Sequence, residues 1–291
     1  MHPALYLLAL GLSSTPALTG PPSRPQHSPE GPPHGGIPSD TNSDVSICDT
    51  YSTSVLGSAS PKNQHLLMTL FVNTALVGNY TTPNTGVAVN GIMWPGEWKD
   101  EAVDLMPWFN GALASSNPCP EDCGQGVSVN WLDSGGPDAL RRNRTSDAVG
   151  TNQFYFVTHL TQYFGYLLSC SSFGTSYQRY NGSTNMYHIH KYMSYNNAQE
   201  SYTNQQFFLS ALSLGFSQRH AHQIWGMLFG LFSQRCEKPN SIPRWAEPTP
   251  QSICIDYDCP LAMDAACELY DAPVGPILVN GMAEDGDDLG S

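Results

Sequence analysis

Residues 186–232 read MYHIHKYMSYNNAQESYTNQQFFLSALSLGFSQRHAHQIWGMLFGLF. Two helical patterns run through this stretch. From Glu200 to Leu214 the residues Phe207, Phe208, Ala211 and Leu212 fall on one helical face, and Gly215 supplies a stop. Ser217 is a helix cap, followed by a helix with a wide apolar stripe of Ile224, Trp225, Leu228, Leu231 and Phe232. Working outward, NQFYFVTHLTQYFGYLLS from about Asn152 to Ser169 repeats the pattern, with Phe156, Leu160, Phe164 and Leu167 on a buried face. Farther upstream, Ser60-Pro61 opens a helix that runs through HLLMTLFVNTALV to Gly78. These four segments predict a mainly α fold, with a foldable body over residues 46–236.

A long irregular insertion, about residues 81–150, separates the first two helices. The alternation of Val127, Val129 and Trp131 predicts a short strand or hairpin, and Asp133 to Pro137 (DSGGP) predicts a turn. A loop of that length is either functional or clipped by disulfides, and Cys119 and Cys123 favour a clip. Their spacing matches a zinc half-site only superficially, because no second half follows.

The ends of the chain differ from its body. Residues 1–20, MHPALYLLALGLSSTPALTG, are apolar and then small, which fits a secretory signal better than a buried helix. Residues 21–45 are rich in Pro and Gly and predict a disordered linker. Residues 237–291 carry 11 acids and two bases, most of the formal charge of −13. They read as a largely disordered, Cys-containing acidic tail. That balance argues against nucleic acid or an anionic membrane surface as partner, and no further apolar stretch reaches the ~20 residues of a membrane span. Sequons at Asn79, Asn143 and Asn181 agree with a secreted glycoprotein. The eight cysteines allow 105 disulfide pairings. Five lie at or before Cys236 and three after it, so full pairing ties the tail to the body at least once.

The chemistry centres on histidine. In a helix, the members of a His-x-His pair point ~200° apart and cannot chelate one ion. His220 and His222 therefore read as solvent-facing residues near a helix start. His188 and His190 are split in the same way, and Ile189 and Met193 place His190 against an apolar pocket. A neutral imidazole there either bonds a backbone carbonyl or ligates iron. There is no Gly-rich phosphate loop, no G-x-S-x-G turn and no H-E-x-x-H helix. Asp133 beside Ser134 reads as turn chemistry.

The order of these features resembles the truncated (2/2) haemoglobins, group I in particular, over Leu66 to Phe232. The residues carrying the likeness are YFGYLLSCSS, then Tyr180-Asn181-Gly182, then Met186 four residues before His190. Gly215 follows His190 by 25 positions, and LFVNTALVGN and Leu105 to Gly111 fit earlier elements. The chain also resembles a group of secreted fungal globin-like proteins with the patterns CD-x-Y, here Cys48 to Tyr51, and M-Y-x-x-H-K, here Met186 to Lys191.

The resemblance implies a globin-like helical domain binding haem iron through His190, with Met186, Phe156, Leu160, Phe164 and Val72 around the cofactor. It implies a small diatomic ligand, and Lys191 or Arg179 near the haem propionates. The family's ligand-bonding Tyr falls here at Val72, and its polar distal pair at Phe156 and Leu160. His159 or Gln162 would supply a distal donor only with a one-residue shift. Such an apolar wall would hold haem yet stabilise bound oxygen poorly. Three readings stay open: a secreted haem binder, a haem-free extracellular scaffold or surface-interaction protein, and a weak peroxidase using His159.

Overall fold

A computed structural model describes residues 46–81, 84–117 and 126–275. The expected signal, the linker, residues 276–291 and the Cys119/Cys123 clip lie outside the described residues. Within them the chain is mainly α, built on α2 (Pro61–Val77), α5 (Asn152–Leu167), α7 (Asn197–Ser213) and α8 (Gln218–Phe232). Each of these begins where a side chain accepts a hydrogen bond from an N–H of the first turn, freed by helix geometry. Ser60, Thr151, Asn196 and Ser217 do this for the four helices, and Asn196 with Gln199 forms a reciprocal capping box.

Packing follows the apolar faces. α2 touches α5 and α7, and α7 lies along α8. Phe71 is fully buried at their crossing, with Phe164, Phe207 and Phe216 at centroid distances of 5.3, 5.6 and 6.2 Å. Burying one such ring stabilises by about 1.5–3 kcal/mol, so this cluster is a main source of cohesion. An additional helix, α1 (Ile47–Leu56), packs on α2 and was not expected from the apolar pattern. The Cys48–Cys170 disulfide ties α1 to the chain just past α5. It spans a sequence separation of 122, the kind of long loop whose closure most restricts the unfolded chain.

The expected insertion contains small elements. β1 (Gly96–Trp98) pairs antiparallel with β2 (Glu101–Val103) through Lys99 and Asp100, both at positive φ as a tight hairpin turn requires. Trp98 stacks on Trp225 at 5.8 Å. Gly96 admits no side chain, because an added Cβ would stand 2.3 Å from the Tyr202 ring. After α3 (Met106–Phe109), β3 (Ala114–Ser116) pairs with β4 (Val127–Ser128), which answers the alternation read at Val127.

Asp133 proves to be scaffolding. Its carboxylate takes the N–H groups of Asn152 and Gln153 at the start of α5. The fully buried Gln153 side chain in turn bonds Ser134, Gly136 and Thr145. The turn leads into α4 (Gly136–Arg141), whose Leu140 carbonyl accepts from Asn73 of α2.

The expectation of a largely disordered tail from residue 237 is corrected as far as residue 275. Ile253 and Cys254 donate to the Phe232 carbonyl, and Ile255 donates to Tyr195. Gln251 is fully buried and bonds Tyr163, Thr184 and Asn240. The disulfides Cys254–Cys259 and Cys236–Cys267 fix the segment, and the second is a bridge from body to tail. Polar, Pro-rich sequence reads as solvated, but here backbone bonds and crosslinks replace apolar burial. The folded body therefore runs past residue 236. Among the described residues, no helix is long and apolar enough to cross a membrane.

Candidate functional site

A cavity of about 520 Å³ lies among α5, α7, α8 and the short helix α6 (Met186–His190). That volume falls in the range of ~300–1,000 Å³ usual for small-molecule sites. Asn185 caps α6 by accepting from the His188 N–H, and the backbone N–H of Tyr187 donates to Pro250 in the tail. The helix is short, so its position depends on such outside contacts. The exposed Asp271 reaches back to the nearly buried Lys191 at 2.5 Å, with side-chain exposures of 68% and 7%. The Asp271 N–H donates to the Tyr187 hydroxyl.

His190 is half-buried, with an edge on the cavity. Its Nδ1–H donates to the Met186 carbonyl at 2.7 Å. That bond fixes the tautomer, so the lone pair sits on Nε2, which has no protein partner among the described residues. Burial lowers its pKa, only partly opposed by the Met186 bond, and keeps the ring neutral. A neutral imidazole held through Nδ1 by a carbonyl is the arrangement that metal-ligating histidines use.

The other expected residues divide. Phe156, Leu160, Phe164 and Met186 line the cavity with His190. Val72 does not. It is fully buried in the core, and Leu76, one turn further along α2, reaches the cavity instead. The reason is that 12 residues of α2 are buried, so no single apolar face marked which turn meets the site.

His159 also lines the cavity, at the mouth, where its Nε2–H donates to Asn181 Oδ1 at 3.1 Å. Gln162 is buried away from the cavity. Neither cation expected near propionates reaches it: Arg179 stacks on Trp245 at 3.6 Å, and Lys191 faces Asp271. His188 lies beside Asn117 at 3.2 Å. His220 is half-buried and bonds Tyr51 at 2.8 Å, correcting its solvent-facing reading, whereas His222 is exposed as expected.

Among the cavity residues that escaped the sequence reading, Trp108 and Glu200 add distinct chemistry. Trp108 contributes an indole Nε1–H that is buried without a partner among the described residues. Glu200, in the first turn of α7, is 2% exposed and lines the wall with Thr203, Asn204 and Phe207. Those four positions form one helical stripe (i, i+3, i+4, i+7). Burial pushes the Glu200 carboxyl up to about 8, partly offset by a bond from Asn204. An acid at a helix start ordinarily reads as a solvated partner for the helix dipole, which hid it. The Glu–x–x–Thr–Asn–x–x–Phe stripe was the available signal.

Chemically, the site offers a large apolar wall, the His190 imidazole with its Nε2 lone pair, a buried acid that is neutral near pH 7, and an indole donor with no partner among the described residues. The described residues hold no cluster of three or more His, Cys, Asp or Glu side chains suited to a bare metal ion. An ion carried inside a macrocycle needs a single protein ligand, and the apolar wall and His190 fit such a group. No family model, curated protein or solved structure matches this chain.

Proposed function

We propose that this chain is a secreted, disulfide-tied, globin-like protein that binds one haem in the 520 Å³ cavity through His190. The observation that carries the reading is the bond from His190 Nδ1 to Met186, which leaves Nε2 without a partner among the described residues, beside an apolar wall. Phe156, Leu160 and Phe164 would bear on the flat faces of the group, and Met186 would hold the ligand's orientation through its carbonyl. When bound, haem would supply an iron centre for a small diatomic ligand. The chain's own contribution is exclusion of water by aromatic side chains and the fixed tautomer of His190. The Trp108 indole offers a hydrogen-bond donor in a wall otherwise poor in them.

Three disulfides among the described residues suit an oxidising compartment, which supports export together with the apolar start of the chain. Titration of the full chain with hemin is the test. The expected result is a sharp Soret band that His190→Ala shifts and weakens. An identical spectrum from that variant overturns the assignment.

A second reading, a haem-free scaffold that holds another apolar ligand, is favoured by Glu200. A porphyrin's hydrocarbon face has no use for a carboxyl, whereas a ligand with a hydroxyl or carbonyl would pair with it. Peroxidase activity has less support, because His159 stands at the mouth and is bonded to Asn181.

A further inference from the structure

The mouth of the cavity is formed on one side by α5, with Tyr155 and His159, and on the other by the turn Asn181-Gly182-Ser183. That turn is an Asn-x-Ser sequon. Tyr180 anchors it from below, its ring buried and its hydroxyl donating to the Ser183 carbonyl at 2.6 Å. Asn181 itself is exposed. Its Oδ1 accepts the His159 Nε2–H at 3.1 Å, which aims the side chain across the opening, and its Nδ2 has no hydrogen-bond partner among the described residues. The Asn79 sequon differs. There Oδ1 accepts the Val89 N–H at 2.6 Å and Nδ2 donates to Ser213 at 2.7 Å, so the amide clamps the ends of α2 and α7.

We infer that Asn181 carries an N-linked glycan that stands over the cavity mouth and slows ligand entry. The inference rests on the cavity and on the export proposed above, and is independent of whether the ligand is haem. The donor is a lipid-pyrophosphate-linked oligosaccharide. The Nδ2–C1 bond forms, the C1–O bond to the pyrophosphate breaks, and the Nδ2 proton leaves with the lipid pyrophosphate. Oδ1 is untouched by this chemistry, so the His159 bond survives and holds the first sugar at the rim. The glycan leaves the wall residues unchanged and alters only access.

The test uses the full chain secreted from a eukaryotic host. Enzymatic glycan release in heavy-oxygen water marks occupied asparagines for peptide mass spectrometry. Asn143, exposed on the insertion, serves as the internal control for passage through the glycosylating compartment. Occupancy at both Asn143 and Asn181 is expected. Occupancy at Asn143 with Asn181 bare overturns the inference while leaving export standing, and both bare overturns the two together. Stopped-flow binding of the apolar dye anilinonaphthalene sulfonate reads the gate. Trimming the glycan, or Ser183→Ala, is expected to speed association by roughly three- to tenfold with little change in dissociation, while Ser183→Thr restores the slow rate. Equal association rates with and without the Asn181 glycan overturn the gating role. Absence of dye binding in every form overturns the cavity reading with it.

Discussion

α6 and α7 face the same cavity, and each presents one ionisable side chain to it, yet burial neutralises the two by opposite routes. His190 on α6 is neutral because burial expels its proton; Glu200 on α7 is neutral because burial retains one. The two helices are also supported differently. α7 is 17 residues long with a capping box, whereas α6 is five residues long and depends on Pro250, Tyr270 and Asp271 from the tail. A long helix positions its side chains by its own hydrogen bonds, and a single turn must borrow order from its neighbours.

The largest effect expected from this contrast is on stability against pH. The folded-state pKa of Glu200 is raised from 4.5 to about 8, so its contribution is fully present below the unfolded value and is lost as pH rises toward 8. Within that window stability should fall by up to ~1.4 kcal/mol per pH unit. Glu200→Gln should flatten the melting temperature against pH and exceed the parent protein at pH 8. Parallel curves for the two proteins would show that the acid is not held neutral.

Hemin affinity comes next. His190→Ala should weaken it by roughly 100-fold or more, since even outer partners of a metal ligand are worth 10–100-fold. Glu200→Leu should change it by no more than a few-fold if the imidazole alone anchors the group. Equal losses from the two variants would shift the balance to the second reading, in which the acid meets the ligand.

A smaller effect concerns the borrowed order of α6. Asp271→Asn removes one of the groups that Lys191 meets, and because Asp271 is mostly exposed the cost should be about 1 kcal/mol or less. Its clearer signature is faster limited proteolysis after residue 267, with α7 unaffected. Protection unchanged from the parent would mean that the disulfide and Tyr270 hold the strap alone. Smallest is Trp108→Phe, which deletes a donor that has no partner among the described residues. Its stability should stay within about 1 kcal/mol of the parent, because no bond is lost and an orphaned N–H is relieved. A loss well above that would reveal a partner for the indole.

Much of the scaffold was legible because each sign was local. Ser60-Pro61 and Ser217 marked true helix starts, and Gly78 and Gly215 followed true ends. Asp133 was readable as turn chemistry, and its carboxylate also accepts the Asn152 and Gln153 N–H groups beside the Thr151 cap of α5. The site was legible only in part. His190, Met186, Phe156, Leu160 and Phe164 meet the cavity, but Val72 yields to Leu76 on a helix buried all round. Glu200 and Trp108 carried signals that ordinarily mean a solvated helix start and a core aromatic.

The sequence by itself determined the four long helices, the Ser60 and Ser217 caps, and that one imidazole of the 188/190 pair would turn inward, because spacing and capping act within a few residues. Tertiary structure decided which turn of α2 reaches the cavity, that an acid lies in its wall, and that the polar tail clasps the His190 helix. Those outcomes depend on partners far apart in the chain, such as Lys191 and Asp271, or Cys236 and Cys267, and no local pattern records who the distant partner is.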